Sequence, residues 1–127
     1  MQTKFGVKKM TKYEVKLIPN KGRGVVCTRK IKAGEIIIIN HMMLISNKRN
    51  NCETIRSHVI EFDEESDAIM LGESTLLNHD FDPNSEFRIL QDHDLPKVYI
   101  VAIKDIKKGE EITVSYGEDY NYSKWMK

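Results

Sequence analysis

The sequence predicts a mainly β fold, and three observations carry that prediction. Most apolar residues fall in short runs, alternating or β-branched, bounded by Gly and polar turns. No segment carries a long apolar stripe at the 3.6-residue period of a helix. Residues 31 to 37 read IKAGEII, and residues 106 to 112, 75 positions on, read IKKGEEI. Ile, Lys, Gly, Glu and Ile recur at matching offsets, each time between strand-like runs. The physics is a tight corner: Gly supplies a positive φ and Ile anchors each side. Two such corners suggest two similar small β units packed together, not a solenoid.

Taken in order, YEVKLI alternates, with Tyr13, Val15 and Leu17 on one face and Ile18 on the other. GVVCT and EIIIIN are β-branched runs next to Gly, and HVIEF is a short strand candidate. KVYIVAI is nearly continuous in apolar residues, as in a strand buried on both faces. EITVSYG alternates, with Ile112, Val114 and Tyr116 on one side and Thr113 and Ser115 on the other. A short helix is expected around Glu64 to Met70. HMMLISNKRNNCETIRSH reads as a loop with NKRNN at its tip, and QDHDLP as a hairpin loop between FRIL and KVYIVAI. There His93, between Asp92 and Asp94, belongs to a solvated turn.

The totals bound the function classes. A chain of 127 residues suits one domain and buries roughly two thirds of its unfolded surface. With 40% hydrophobic and 31% charged residues, it reads as a soluble globular protein. The net charge of +1 makes no case for nucleic acid, where a basic excess is expected. Lys4, Lys8, Lys9, Lys12 and Lys16 form a basic N-terminal arm, read as a solvated end. Two cysteines, Cys27 and Cys52, are too few for a disulfide framework or a four-cysteine zinc site. Cys27, in an apolar run, reads as a small core residue. The start MQTKFGVKKM lacks a signal-peptide core, and no apolar run approaches the ~20 residues of a membrane span. The expected setting is intracellular, cytoplasmic or nuclear, with no membrane partner.

Four stretches could carry chemistry. In NKGRGVV, glycines flank Arg23, so the backbone could approach an anionic ligand, with Lys21 and Arg23 adding charge. It is equally a turn between two strands, and it lacks the spacing of a P-loop or dinucleotide fingerprint. In LLNHDFDPN, Asp82-Pro83-Asn84 suits a turn. His79, Asp80 and Asp82 offer metal donors, although neighbours in sequence rarely converge on one ion. Asn78 and His79 equally suit a pocket wall, with an amide and a flat polar ring. Tyr116 closes an apolar strand face, its hydroxyl either satisfied in the core or turned into a cavity. The tail YGEDYNYSKWMK carries four of the ten aromatics, so it is expected to dock on the body. Trp125 reads there as a core cap or as a stacking wall.

Taken together and in this order, these motifs resemble a SET domain, a family of protein-lysine methyltransferases that use S-adenosylmethionine. KGRGVVCTRKIKAGEII is similar to the family's opening Gly-x-Gly strand and corner. LLNHDFDPN resembles its Asn-His-Ser-x-x-Pro-Asn signature, and AIKDIKKGEEITVSYG its closing strand, which ends in the catalytic Tyr. The likeness covers residues 13 to 127 as one SET domain, with residues 1 to 12 as an arm. It is nearest the minimal viral and bacterial members, which lack cysteine-rich zinc modules.

The resemblance implies a SET-domain β-clip of several small curved sheets with a knot-like C-terminal segment. It implies S-adenosyl-L-methionine as cofactor and a protein or peptide substrate presenting lysine, such as a histone or other basic protein. Tyr116 would be catalytic. Lys21, Gly22, Arg23 and Gly24 would meet the amino-acid end of the cofactor, Asn78 would hydrogen-bond it, and the His79 backbone would bind the adenine edge. Trp125, or else Tyr120 or Tyr122, would cover the adenine ring. No metal is implied. Asp80 and Phe81 depart from the family's Ser and Cys, and they would mark the alternative, a non-catalytic SET-like binding module. Tyr99 and Tyr13 are candidates for a second channel tyrosine. The sequence does not choose between monomer and homodimer.

Overall fold

The structure, a computed structural model, describes residues 11–46 and 59–116. Nine strands follow in order: β1 Tyr13–Ile18, β2 Gly22–Cys27, β3 Ile36–Ser46, β4 Val59–Glu61, β5 Ser66–Met70, β6 Asn78–His79, β7 Ser85–Leu90, β8 Lys97–Ala102 and β9 Thr113–Val114. Among the described residues the helical element is a single 3₁₀ turn, Glu73–Leu76. They form an antiparallel β1–β2 hairpin, a five-stranded antiparallel sheet ordered β4-β5-β3-β8-β7, and a short parallel pair, β6–β9. The mainly β expectation holds, with the strands divided among several small sheets.

Two sequence expectations are corrected. The helix around Glu64 to Met70 is absent: Asp63 Oδ1 accepts the Glu65 and Ser66 N–H groups at 2.9 and 2.8 Å, making a turn into strand β5. Pairing with β3 and β4 outweighs the helix propensity of so short a segment. The expected loop does not start at residue 41: through Ser46 the chain is strand β3, paired with β5 as far as Ser46↔Ser66. Residues 47–58, NKRNN included, lie outside the described residues. A register shift between Ile36 and Ile38 turns Ile37 and Ile38 both inward, which accounts for the unbroken Ile run.

The two echoed corners pair with each other. Ile31 and Ile106 exchange backbone hydrogen bonds at 2.9 and 2.8 Å, and both are fully buried. The Gly34 N–H donates to the Ala102 carbonyl at 2.7 Å, and the Gly109 N–H to the Cys27 carbonyl at 2.8 Å. The Ala102 N–H returns to Glu35 O, and the Cys27 N–H to Glu110 O, both at 2.9 Å. Within each corner a Glu carboxylate accepts the N–H three residues earlier: Glu35 from Lys32 at 3.1 Å, Glu110 from Lys107 at 2.8 Å. Each corner is therefore closed by the strand that leads into the other. Gly34 and Gly109 have φ of 91° and 88°, a region that costs any residue with a Cβ.

The core lies between the corners and the large sheet. It gathers Val25, Cys27, Ile31, Ile38, Leu77, Val98, Ile100, Ile106, Ile112 and Val114. Cys27 is the small core residue expected, its thiol donating to Lys107 O at 2.6 Å. β8 meets the expectation of burial on both sides at Val101, which is buried opposite the core face. In β1, by contrast, Leu17 is 82% exposed and Val15 40%, and of that apolar face Tyr13 packs against the core. No helix among the described residues is long and apolar enough to cross a membrane.

Candidate active site

The heptapeptide NHDFDPN is at once strand, turn and clamp. Asn78 and His79 form β6, parallel to Thr113 and Val114. The Asp80 N–H then donates to Val114 O at 2.9 Å, while Asp80 Oδ1 accepts the Asp82 N–H at 2.9 Å. That Asx-turn places the unusual Asp80 at the surface, where its charge stays hydrated. Asn84 is buried, and both ends of its amide are engaged. Nδ2 donates to Glu111 O at 2.8 Å, and Oδ1 accepts the Thr113 N–H at 2.9 Å and the Ser85 hydroxyl at 3.2 Å. A two-residue parallel pair has little stability of its own, and Asn84 fastens it.

The glycine motif lies against this pair. Gly22 opens β2 opposite Ile18, and Gly24 is buried within it. A Cβ on Gly24 would stand 2.5 Å from Ile18 Cγ1, 2.8 Å from Asn78 Nδ2 and 2.9 Å from Glu111 Oε2. Only glycine allows Asn78 so close. Asn78 Nδ2 donates to Glu111 Oε2 at 2.6 Å and to Arg23 O at 3.3 Å. Both partners are acceptors, which assigns the nitrogen and leaves Oδ1 as a free acceptor among the described residues. Lys21 reaches the other oxygen of the same carboxylate, Nζ to Glu111 Oε1 at 3.0 Å. The Arg23 side chain is exposed.

Tyr116 completes the cluster. Its N–H donates to His79 Nδ1 at 2.9 Å, and its hydroxyl donates to Leu77 O at 2.5 Å. His79 must therefore be neutral with its proton on Nε2. Burial lowers its pKa from the usual histidine value, opposed more weakly by the Asp80 charge. The His79 ring lies 5.1 Å from the Tyr116 ring, and Phe81 stands edge-on to it at 4.3 Å. Ile112 and Val114 are fully buried, but Tyr116, on the same strand face, is 38% exposed. It is thus not a core tyrosine: its ring emerges while its hydroxyl is held.

This convergence of the glycine strand, the Asn-His pair and a held tyrosine decides the family. Residues 22–117 match the SET domain family. The chain belongs to the SET-domain family. It is 41% identical over 64 residues to the histone-lysine N-methyltransferase SET9 of Phaeosphaeria nodorum, covering 50% of this chain and 9% of that protein. It is 34% identical over 102 residues to the corresponding Aspergillus terreus protein, covering 75% of this chain and 16% of that one. The chain thus spans a small part of these relatives' length. A crystal structure of a Plasmodium falciparum protein, provisionally described as a histone methyltransferase, superposes with a TM-score of 0.76 at 25% identity. The match covers 88% of this chain and 98% of that one. These relatives are eukaryotic, and the likeness to viral and bacterial members rests on the sequence alone.

Within this SET domain, Lys21, Gly22, Arg23, Gly24, Asn78, His79 and Tyr116 lie on three segments brought together as described. Trp125, Tyr120 and Tyr122 lie outside the described residues, as does any knot-like course of residues 117–127. Tyr99 faces Ile39 and Arg88 across the large sheet. Tyr13 opens β1, its hydroxyl ionisation pushed up by burial and then by neighbouring Glu73. Among the described residues no group of three His, Cys, Asp or Glu side chains could hold a metal ion. His93 bonds Asp63 Oδ2 at 2.9 Å, and Asp92 caps its own turn.

Sequence reasoning missed Glu111, Asn84 and the Leu77 carbonyl. The echo carried a signal for the first: Glu110 matches Glu35, whereas Glu111 stands where the first copy has Ile36. Asn84 was visible only as a turn residue, and a backbone carbonyl has no sequence signal at all.

Proposed function

We propose that this SET domain, residues 13 to 127 with residues 1 to 12 as an arm, transfers a methyl group from S-adenosylmethionine to a lysine of a protein substrate. The observation that carries the reading is the Tyr116 hydroxyl, tied to Leu77 O beside the Asn78–His79 pair. Its proton is committed to that carbonyl, so toward a substrate amine the hydroxyl would act through its oxygen, as an acceptor. A neutral lysine amine that donates an N–H to this oxygen has its lone pair directed away from it, ready for in-line attack. Lysine must first lose its proton, which a desolvating channel favours.

The polar groups present fit the cofactor. Asn78 Oδ1 suits its ammonium, and the exposed Arg23, with Lys21 beside it, suits its carboxylate. The close approach of β2 at Gly24 lets the Gly22–Gly24 backbone form one wall, and the His79 backbone would meet the adenine edge. Trp125, Tyr120 or Tyr122 would cover the ring. When bound, S-adenosylmethionine supplies a methyl group already activated by its sulfonium. The chain's own task is then alignment and exclusion of water. Asp80, turned to solvent in its Asx-turn, leaves Asn78 and His79 in place. The names of the relatives suggest histones or similar basic proteins as substrates, met in the nucleus or cytoplasm.

An extract incubated with the protein and deuterated-methyl cofactor, read by mass spectrometry, tests this. The expected result is labelled lysine on a basic protein, with Tyr116→Phe slower by about a hundredfold or more. Cofactor heat in calorimetry without any labelled protein would instead favour a non-catalytic module. No cofactor heat would end the reading.

A further inference from the structure

We infer that Glu111 is the positioning residue of this pocket, holding Asn78 and Lys21 on its two carboxylate oxygens so that Asn78 Oδ1 is presented to the cofactor. The inference rests on the function proposed above. Glu111 is the one described side chain that meets both flanking motifs from the strand leading to Tyr116. Oε2 takes the Asn78 amide at 2.6 Å, Oε1 takes the Lys21 amine at 3.0 Å, and a Cβ on Gly24 would stand 2.8 Å from that amide and 2.9 Å from Oε2, as well as 2.5 Å from Ile18 Cγ1.

An asparagine amide can rotate by half a turn at little steric cost, exchanging donor for acceptor. Here rotation would set Oδ1 against a carboxylate 2.6 Å away, a repulsion that forbids it. Arg23 O, at 3.3 Å, is too weak a partner to do this alone. Glu111 is itself fixed from behind. Its backbone bridges Val26, and its carbonyl accepts the Asn84 amide at 2.8 Å. Its side chain is 16% exposed, so the ion pair with Lys21 is only partly screened. The corresponding position of the first corner is Ile36, 41% exposed at the start of β3, where only its backbone carbonyl takes a polar partner, the Lys12 amine at 2.6 Å. The corner fold therefore does not need an acid there, which leaves the site as the reason for it.

The test is a double-mutant cycle read by cofactor titration in the full chain. Glu111→Ala should weaken cofactor binding by about ten- to a hundredfold in the parent background, but by less than about twofold in Asn78→Ala. Glu111→Gln, which keeps an acceptor for Asn78, should recover most of the loss. The cofactor KM should rise while the peptide KM stays. If Glu111→Ala lowers affinity equally in both backgrounds, or lowers the melting temperature with affinity unchanged, the inference is overturned. The Asn78 side-chain amide NMR resonances give a reading without cofactor: they should move in Glu111→Ala and stay near the parent position in Glu111→Gln. Unmoved resonances in Glu111→Ala would overturn it as well. Should the parent protein bind no cofactor, the methyltransferase reading fails separately, and these resonances still decide whether Glu111 orients Asn78.

Discussion

The two corners share a backbone and differ in what they serve. Around Ile31 and Ile106 the hydrogen bonds repeat almost bond for bond, each corner closed by the strand that enters the other. Beyond them the paths diverge. After the first corner the chain runs into β3, eleven residues in the middle of the large sheet. After the second it makes only the two residues of β9, beside β6, and reaches Tyr116. Ile36 in one copy is Glu111 in the other, and Gly24 has Tyr99 as its counterpart. Symmetry supplies a rigid frame, and a few unmatched residues on one side make it a site. Functional groups supported by such a frame hold their geometry better than groups on a free loop.

Truncating the two anchors should produce the largest effect. Ile31→Ala and Ile106→Ala should each cost about 2–5 kcal/mol in denaturant unfolding and agree to about 1 kcal/mol, since both are fully buried in equivalent places. One mild and one severe result would show that the corners are not equivalent. Next come the turn glycines. Nothing lies within 4 Å of a Cβ built on Gly34 or Gly109, so alanine there meets backbone strain alone. A matched loss of about 1–2 kcal/mol each is expected. A much larger loss at one of them would reveal a contact the other lacks.

The smallest effect separates the strands that leave the corners. His79 accepts the Tyr116 N–H only when neutral, and burial lowers its pKa below the usual 6.5. The unfolded chain therefore takes up the proton first as pH falls. The contribution of His79 to stability is complete above about pH 6.5 and declines as pH falls toward the folded-state pKa, whereas methyl transfer, which needs the folded ring neutral, should decline only as pH falls through that lower pKa. An NMR titration of the His79 ring that gave a pKa above 6.5 would contradict this.

Much of the frame was legible. Strands β1, β2, β7, β8 and β9, the β7–β8 loop and the paired corners follow from alternation, β-branching and Gly spacing, all local properties. The turn into β5 was not, because Glu64 to Met70 has no decisive period and its pairing partners lie elsewhere in the chain. The exposure of Leu17 was hidden for a related reason: alternation tells which residues share a face, not whether anything covers it.

The sequence by itself determined the secondary structure of the longer strands, the repeat, the family and the residue types of the pocket, since these depend on short-range pattern and motif order. The tertiary structure decided which groups touch. It set Glu111 between Lys21 and Asn78, Asn84 beneath β9, and the Leu77 carbonyl on the Tyr116 hydroxyl. The partners in these contacts stand 29 to 90 residues apart. Contacts at such separations are set by how the sheets close on one another, which no local pattern encodes.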